Sequence, residues 1–293
     1  MVSFSKFQTQ FGLVVGALLM AAANAKIVWD GRLKPGFNAT DFDSNKTEYN
    51  PAYTRPNIPH VLKWSDILEF SHAKCLFDPL GTSVEVILKN HSVTAFGEKN
   101  IQYGFRRTEL LPKPMPNNTL YQGIKTFYWS MTPTKRLANL TYDHVPVFLE
   151  TTTGTHIFDI HYGSPYNWNK TADSAVLSLM SSSTAGYDKV QSLFSVPFTA
   201  GVIQNFAVTV NFDKATLQAY HSTDDQALKE VVKPIANPVG VVENIHYGLL
   251  RLPLATAADM VHNGYQEPNL EVSVKYCGLF ILDGPAVLQP PLA

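Results

Sequence analysis

The sequence has few cysteines, no block of like charge, and no long apolar run after its first 25 residues. Its 293 residues carry 23 Lys and Arg against 24 Asp and Glu, which gives a formal net charge of −1. A nucleic-acid-binding protein normally has a basic patch, and none is visible here. A membrane-spanning helix needs about 20 apolar residues, and no later segment comes close. We therefore expect neither a nucleic-acid partner nor a membrane protein.

Several common catalytic motifs are also missing. The chain has no Gly-x-Ser-x-Gly elbow and no local Ser-His-Asp signature, which argues against serine hydrolysis. No Gly-rich phosphate loop indicates nucleotide chemistry. The histidines lack metal-ligand spacing, and the two cysteines are too far apart in sequence for a structural zinc site. We expect no metal and no cofactor.

The first 25 residues have the pattern of a secretory signal peptide. Lys6 supplies a positive charge, residues 11–22 form an apolar run, and Ala23-Asn24-Ala25 fits the small-x-small cleavage pattern. We expect cleavage after Ala25, an extracellular location and a single mature domain over residues 26–293. We also expect a monomer.

Two further features agree with secretion. In an oxidising compartment, Cys75 and Cys277 are most simply interpreted as one long-range disulfide, and two buried free thiols are the alternative. Asn-x-Ser/Thr acceptors for glycosylation are more numerous than chance requires in a chain of this length. They are Asn38, Asn45, Asn90, Asn117, Asn139 and Asn169.

From residue 82 onward, short β-rich runs alternate with Gly, Pro, Asn and Asp clusters. Segments 224–232 and 256–262 have the composition of short helices, but no segment has a sustained helical apolar stripe. No linker or internal repeat divides the chain. The pattern predicts an all-β domain of two packed antiparallel sheets, a jelly roll or sandwich. The predicted strands are 82–89, 101–111, 123–131, 145–151, 156–162, 191–196, 206–212, 217–221, 246–252 and 270–282.

The segment 103–112 carries the main candidate site. If 101–111 is one strand, Tyr103, Phe105, Arg107 and Glu109 share a face, because side chains alternate along a strand. An aromatic ring, a guanidinium and a carboxylate in a row are typical of a polar cleft for a ring-shaped ligand. The alternative is an exposed ion pair between Arg107 and Glu109 that contributes little to stability.

Glu150 is the second acid of interest, because it ends an apolar strand, where a partly dry cleft would raise its pKa. Two carboxylates on neighbouring strands are the arrangement that hydrolyses a glycosidic bond. Aromatic residues make up 12% of the chain. Some of them would stack on sugar rings, although most are expected in the core of a sandwich.

Several segments together resemble glycoside hydrolase family 131, the secreted fungal β-glucanases of broad specificity. The block Arg106-Arg107-Thr108-Glu109-Leu110 is the most specific of them. In chain order, the segments are Val28-Trp29-Asp30-Gly31-Arg32, 105–112, Phe148-Leu149-Glu150, His161-Tyr162-Gly163, 210–213, 220–223 and 246–253.

This resemblance implies a β-jelly roll whose open cleft binds β-glucan with β-1,3, β-1,4 or β-1,6 linkages. It also implies an inverting mechanism with Glu109 and Glu150 as the catalytic pair. The expected substrate-binding residues are Arg107, His221, Tyr103, His161 and Trp129.

The chain departs from the family pattern beside the cleft. The turn 151–155 is longer than in the family, and His161 stands where a lysine is expected. Two other functions therefore remain open. One is a non-catalytic β-glucan-binding protein of the same fold. The other is a jelly-roll polysaccharide lyase that uses Tyr220 or His221 as base on a uronic acid substrate.

Overall fold

A computed structural model describes residues 26–44, 46–50, 55–134, 139–164, 174–254 and 258–287. Two short α-helices, α1 (Ala39–Asp43) and α2 (Met260–Asn263), and 3-10 turns at Trp64–Asp66, Pro116–Tyr121 and Tyr187–Lys189 accompany the strands. The strands are β1 (Lys26–Asp30), β2 (Leu68–His72), β3 (Thr82–Lys89), β4 (Arg106–Leu110), β5 (Ile124–Pro133), β6 (Asp143–Thr151), β7 (His156–Gly163), β8 (Val176–Met180), β9 (Ser192–Pro197), β10 (Gln204–Asn211), β11 (Thr216–Thr223), β12 (Lys229–Ala236), β13 (Val242–Arg251) and β14 (Glu271–Asp283).

The strands form two antiparallel sheets. The large sheet has the order β12-β11-β10-β5-β14-β3-β2, with β1 paired to β14, and the small sheet has the order β4-β13-β6-β7-β8-β9. The predicted two-sheet, all-β fold is therefore confirmed. Among the described residues, no helix has the length and apolar character needed to cross a bilayer.

The core lies between the two sheets, because alternate side chains of each strand point inward. On β13 the inward residues are Ile245, Tyr247 and Leu249, and all three are fully buried. Trp129 of β5 stacks on Phe206 of the large sheet and on Phe158 of the small sheet, at centroid distances of 5.2 and 6.2 Å. Trp129 is 0% exposed. Its predicted role in sugar binding is therefore corrected to a role in the core.

The strand predicted over 101–111 begins only at Arg106. Tyr103 and Gly104 form a turn instead, and the Gly104 amide donates to the carbonyl of Val261 at 2.8 Å. A Cβ atom at Gly104 would lie 1.8 Å from the carbonyl oxygen of Met260, so only glycine fits against α2. The predicted alternation holds from Arg107 onward but does not extend to Tyr103.

The two predicted helices had different outcomes. Segment 224–232 does not form a helix, because from Lys229 onward the chain pairs with β11 as the edge strand β12. Pro234 is tolerated there because an edge strand has backbone N–H groups that need no partner strand. Segment 256–262 overlaps α2, and its first residues lie outside the described part of the chain.

Cys75 and Cys277 form a disulfide, which joins the loop before β3 to β14. Asn38 and Asn117 are exposed, whereas Asn90 and Asn139 are half-buried. The Asn139 side chain donates a hydrogen bond to Glu267 at 2.7 Å. Asn45, Asn169 and the predicted signal peptide lie outside the described residues.

Candidate active site

The candidate site lies on the face of the small sheet that points away from the core. On β4, Thr108 and Leu110 point inward, so Arg107 and Glu109 occupy the other face. Gly248 of β13 lies directly opposite Glu109. A Cβ atom at Gly248 would lie 2.5 Å from the Glu109 Cα and 2.2 Å from the Thr108 carbonyl oxygen. The glycine therefore allows β4 to approach β13 closely.

Arg107 holds Glu109 through a forked ion pair. Its Nη2 donates to Oε2 of Glu109 at 2.7 Å, and its Nε donates to Oε1 at 3.0 Å. The Glu109 side chain is 0% exposed. Burial alone would raise the pKa of Glu109, but the charges of Arg107 and His246 outweigh it and lower the pKa below its usual range. Glu109 is therefore a buried, ionised carboxylate.

His246 of β13 lies between the two glutamates that the sequence singles out. Its Nδ1 donates to Oε2 of Glu109 at 2.8 Å. Its Nε2 is 3.1 Å from Oε2 of Glu150, an ion-pair distance, although the N–H is not aligned as a hydrogen bond. Burial would lower the pKa of His246, but the two carboxylates raise it. We name the group Glu109, His246 and Glu150 the central array.

Glu150 is the exposed end of the central array. Its side chain is 18% exposed, whereas those of His246 and Glu109 are 0% exposed. Partial burial raises the pKa of Glu150, but contact with His246 and the charge of Arg107 lower it more, to about 2, so the raised pKa expected from the sequence is corrected to a lowered one. A ligand in the cleft therefore reaches Glu150 first, and it meets a carboxylate that lies next to a protonated histidine.

A second charged group lies mainly on β7, and its member His156 pairs with Glu150. His161 Nδ1 donates to Asp143 at 2.8 Å, and His161 Nε2 lies 3.3 Å from Asp159. His156 Nδ1 is 2.7 Å from the other oxygen of Asp159. Burial would lower the pKa of His161, but the two aspartates raise it to about 10. His161 therefore carries a positive charge at the position where the resemblance led us to expect a lysine.

The remaining predicted binding residues do not join these groups. Tyr103 is 52% exposed in its turn, and its carbonyl accepts a bond from Arg106 at 2.7 Å. His221 lies on the inward face of β11, where Phe194 and Phe206 contact its ring and its Nε2 is 2.8 Å from Gln204. Burial lowers the pKa of His221 to about 4. The expectation that His221 lies in the cleft is therefore corrected: it is an interior residue.

His246 is the residue that sequence reasoning missed. His246 opens the segment 246–253 of the resemblance, but a single histidine is usually structural, and strand pairing cannot be derived from its spacing. The signal that could have identified it is its neighbour Gly248, which permits close approach of the strand that carries Glu109. In the part of the chain described above, no group of three His, Cys, Asp or Glu residues is arranged to hold a metal ion.

Comparison with known proteins agrees with this fold. A family model described as the glycoside hydrolase 131 catalytic N-terminal domain matches residues 27–285. A GH131 β-glucanase catalytic domain from Podospora anserina is 20% identical and has a TM-score of 0.67, covering 90% of this chain and 98% of its own. A GH131 catalytic domain from Coprinopsis cinerea is 21% identical and has a TM-score of 0.64, covering 90% of this chain and 97% of its own. No curated protein matches the chain.

Proposed function

The chain belongs to glycoside hydrolase family 131 and is a glycoside hydrolase, and on this basis we propose that it hydrolyses β-glucans through the central array. The observation that carries the proposal is the convergence of Glu109 and Glu150 on one buried histidine, at 2.8 and 3.1 Å. The β-glucanase named among the similar structures supports the substrate class. The proposed linkages are β-1,3, β-1,4 and β-1,6.

The proposed mechanism inverts the anomeric carbon. The contacting oxygens of the two glutamates lie 2.8 Å from Nδ1 and 3.1 Å from Nε2 of one imidazole ring, so this ring holds the two carboxylates apart. Inverting pairs stand roughly 6.5–9.5 Å apart and admit a water molecule, whereas retaining pairs stand about 5 Å apart. The separation across His246 supports inversion.

The central array holds one mobile proton, on His246, for two ionised carboxylates. We assign the general acid role to Glu150, because it is the exposed member. Its lowered pKa requires that the proton come from His246, whose Nε2 lies 3.1 Å away and must turn into line with Oε2 to transfer it. Glu109 is the base of the pair, and the proton that leaves the attacking water passes to it through His246, because the Glu109 side chain is 0% exposed. Arg107 keeps Glu109 ionised and fixes its orientation.

We also propose that the enzyme is secreted after cleavage at Ala25 and that residues 26–293 form one catalytic domain. The disulfide between Cys75 and Cys277 supports an oxidising compartment. The exposed acceptors Asn38 and Asn117 are accessible to glycosylation. The family match over residues 27–285 supports a single domain.

The test is release of reducing sugar from β-1,3, β-1,4, mixed-linkage and β-1,6 glucans by the wild-type protein, Glu109→Gln and Glu150→Gln. We expect release by wild type and loss of at least about a hundredfold in both variants, the lower range for removal of an acid or base. Glu69→Gln is the matched control, because it removes an exposed carboxylate from β2 of the large sheet.

Proton NMR during the reaction shows which anomer is released first, and we expect the α-anomer. Initial release of the β-anomer would contradict inversion. No release from any glucan by a folded wild-type protein would contradict the β-glucanase proposal, and binding to the same panel would then distinguish a non-catalytic glucan-binding protein.

A further inference from the structure

The connection between β8 and β9, residues 181–191, is hydrogen-bonded to β7 at the residue that pairs with Glu150. The Ser183 amide donates to the His156 carbonyl at 2.8 Å, and the His156 amide donates to the Ser183 hydroxyl at 2.8 Å. His156 is the residue that pairs with Glu150 across β6 and β7. These reciprocal bonds hold the start of the connection next to the exposed end of the central array.

Tyr187 lies later in the same connection and contacts the turn 151–155. Its hydroxyl donates to the Gly154 carbonyl at 3.3 Å. The ring is 56% exposed, although it is held at its hydroxyl end. Burial and the negative charges of Asp159 and Glu150 raise the pKa of Tyr187, in agreement with a phenol close to both carboxylates.

The turn that Tyr187 contacts is internally bonded. The Thr151 hydroxyl is 2.7 Å from that of Thr155 and 3.0 Å from that of Thr153. The Gly154 amide donates to the Thr151 carbonyl at 2.9 Å. The Gly154 carbonyl therefore has a fixed position, and so does the ring of Tyr187 that is bonded to it.

We propose that Tyr187 is the stacking platform of a sugar-binding subsite on the β7 side of Glu150, which takes one glucose unit of a β-glucan chain. This inference rests on the proposed function and names residues that bind its substrate. A pyranose ring presents an apolar C–H face that packs on an exposed aromatic ring, so the hydroxyls at its edge remain available for hydrogen bonds.

His156 is the hydroxyl partner in this subsite. Its side chain is 14% exposed. Its Nδ1 lies 2.7 Å from a carboxylate oxygen of Asp159, so Nε2 is the ring nitrogen that can bind a ligand hydroxyl. The ring also stacks on Phe148 at a centroid distance of 4.6 Å. A side chain fixed on two sides loses little rotamer freedom on binding, which favours affinity.

Tyr265 provides a matched control, because it is 53% exposed, nearly as much as Tyr187. It bridges to Leu254, beyond the Arg251 end of β13, whereas Glu150 pairs with Asn244 near the other end of that strand. Asn244 and Arg251 are therefore about 23 Å apart at the usual rise of about 3.3 Å per residue. Loss of the Tyr265 ring thus tests for general effects of removing an exposed tyrosine.

The experiment compares Tyr187→Ala, Tyr187→Phe and Tyr265→Ala, with folding checked by thermal unfolding. Binding of β-1,3- and β-1,4-linked gluco-oligosaccharides of two to five units is measured by calorimetry in the Glu150→Gln background, and KM and kcat are measured in the active protein. We expect Tyr187→Ala to weaken binding of the longer oligosaccharides and raise KM about five- to tenfold, with a smaller change in kcat. Tyr187→Phe, which keeps the ring, should rescue most of the affinity.

Equal Kd and KM values for Tyr187→Ala and Tyr265→Ala would overturn the subsite, even if the enzyme hydrolyses glucan. Binding that depends on Tyr187 without hydrolysis by the wild type would uphold the subsite and overturn the proposed catalysis. Absence of both binding and hydrolysis across the panel would overturn both.

Discussion

The ring of Phe148 lies flat against the ring of His246, with 4.1 Å between centroids and 14° between planes. Phe148 also contacts His156, so one apolar ring lies between the central array and the charged group on β7. An aromatic face next to a buried imidazolium stabilises the charged form. Phe148 therefore covers the face of the imidazolium whose pKa the two glutamates raise.

Replacement of Phe148 by leucine should lower the pKa of His246, because the aromatic face is lost and apolar burial remains. If His246 supplies the proton of Glu150, the alkaline limb of the pH profile of kcat should move to lower pH, with little change in KM. Profiles that superimpose on those of the wild type would contradict this role. The control is Phe158→Leu, which alters a core ring stacked on Trp129.

The roles of the two glutamates can be separated by leaving-group ability. If Glu150 is the general acid, Glu150→Gln should lose about a hundredfold or more on polymeric glucan but much less on an aryl β-glucoside whose phenolate needs no proton. Glu109→Gln should lose activity on both substrates. Equal losses by Glu150→Gln on the two substrates would instead assign it the base role. Initial rates on the two substrates measure the difference.

Removal of Arg107 should destabilise the fold most at neutral pH. Arg107→Met leaves Glu109 charged and buried without its forked partner, which costs about 3 to 5 kcal/mol. The pKa of Glu109 is lowered in the folded protein, so the pair's stabilisation is present above the unfolded value and is lost as pH falls. The gap in unfolding free energy between variant and wild type should therefore be complete at pH 7 and shrink as the pH falls below the unfolded value of 4.5, as measured by denaturant titrations.

The double variant Arg107→Met/Glu109→Gln is the control for that prediction. It removes the uncompensated charge, so its stability should exceed that of Arg107→Met at pH 7. A pH-independent gap for the single variant would show that packing of the guanidinium, not the charge of Glu109, determines the loss.

His161 should make stability depend on alkaline pH. Its folded pKa of about 10 lies above the ordinary value of 6.5, so its contribution is complete below pH 6.5 and is lost as pH rises through 10. The unfolding free energy of the wild type relative to His161→Gln should therefore decrease between pH 6.5 and 10. His161→Lys, which stays charged in this range, should lack that decrease. A constant difference between wild type and His161→Gln would contradict the raised pKa.

The sequence allowed prediction of the two sheets, because alternation and turn residues are local signals, and it singled out Glu109 because this residue stands in a specific block. It did not allow prediction of the partner strands. The core position of Trp129 depends on Phe158 and Phe206, one from each sheet. Similarly, His246 becomes significant only because β13 lies between β4 and β6.

Tyr103 shows the limit of periodicity as a signal. Its spacing from Arg107 fits a strand, but the packing of α2 on Gly104 turns the chain before the strand begins. Tyr187 shows the opposite case, since nothing in its local sequence indicates a contact with Gly154, 33 residues earlier in the chain. Both positions are determined by tertiary contacts that a linear pattern does not record.

Strand β13 also limits which insertions and deletions this protein can tolerate during evolution. Ile245, Tyr247 and Leu249 fill the interior, and His246 and Gly248 between them serve the opposite face. A single inserted or deleted codon within β13 would exchange the two sets and eliminate core and chemistry together. The turn 151–155 lies outside this alternation, so its length can vary without that penalty. Inherited variation in substrate choice should therefore accumulate in such turns while the reaction itself stays fixed in the sheet.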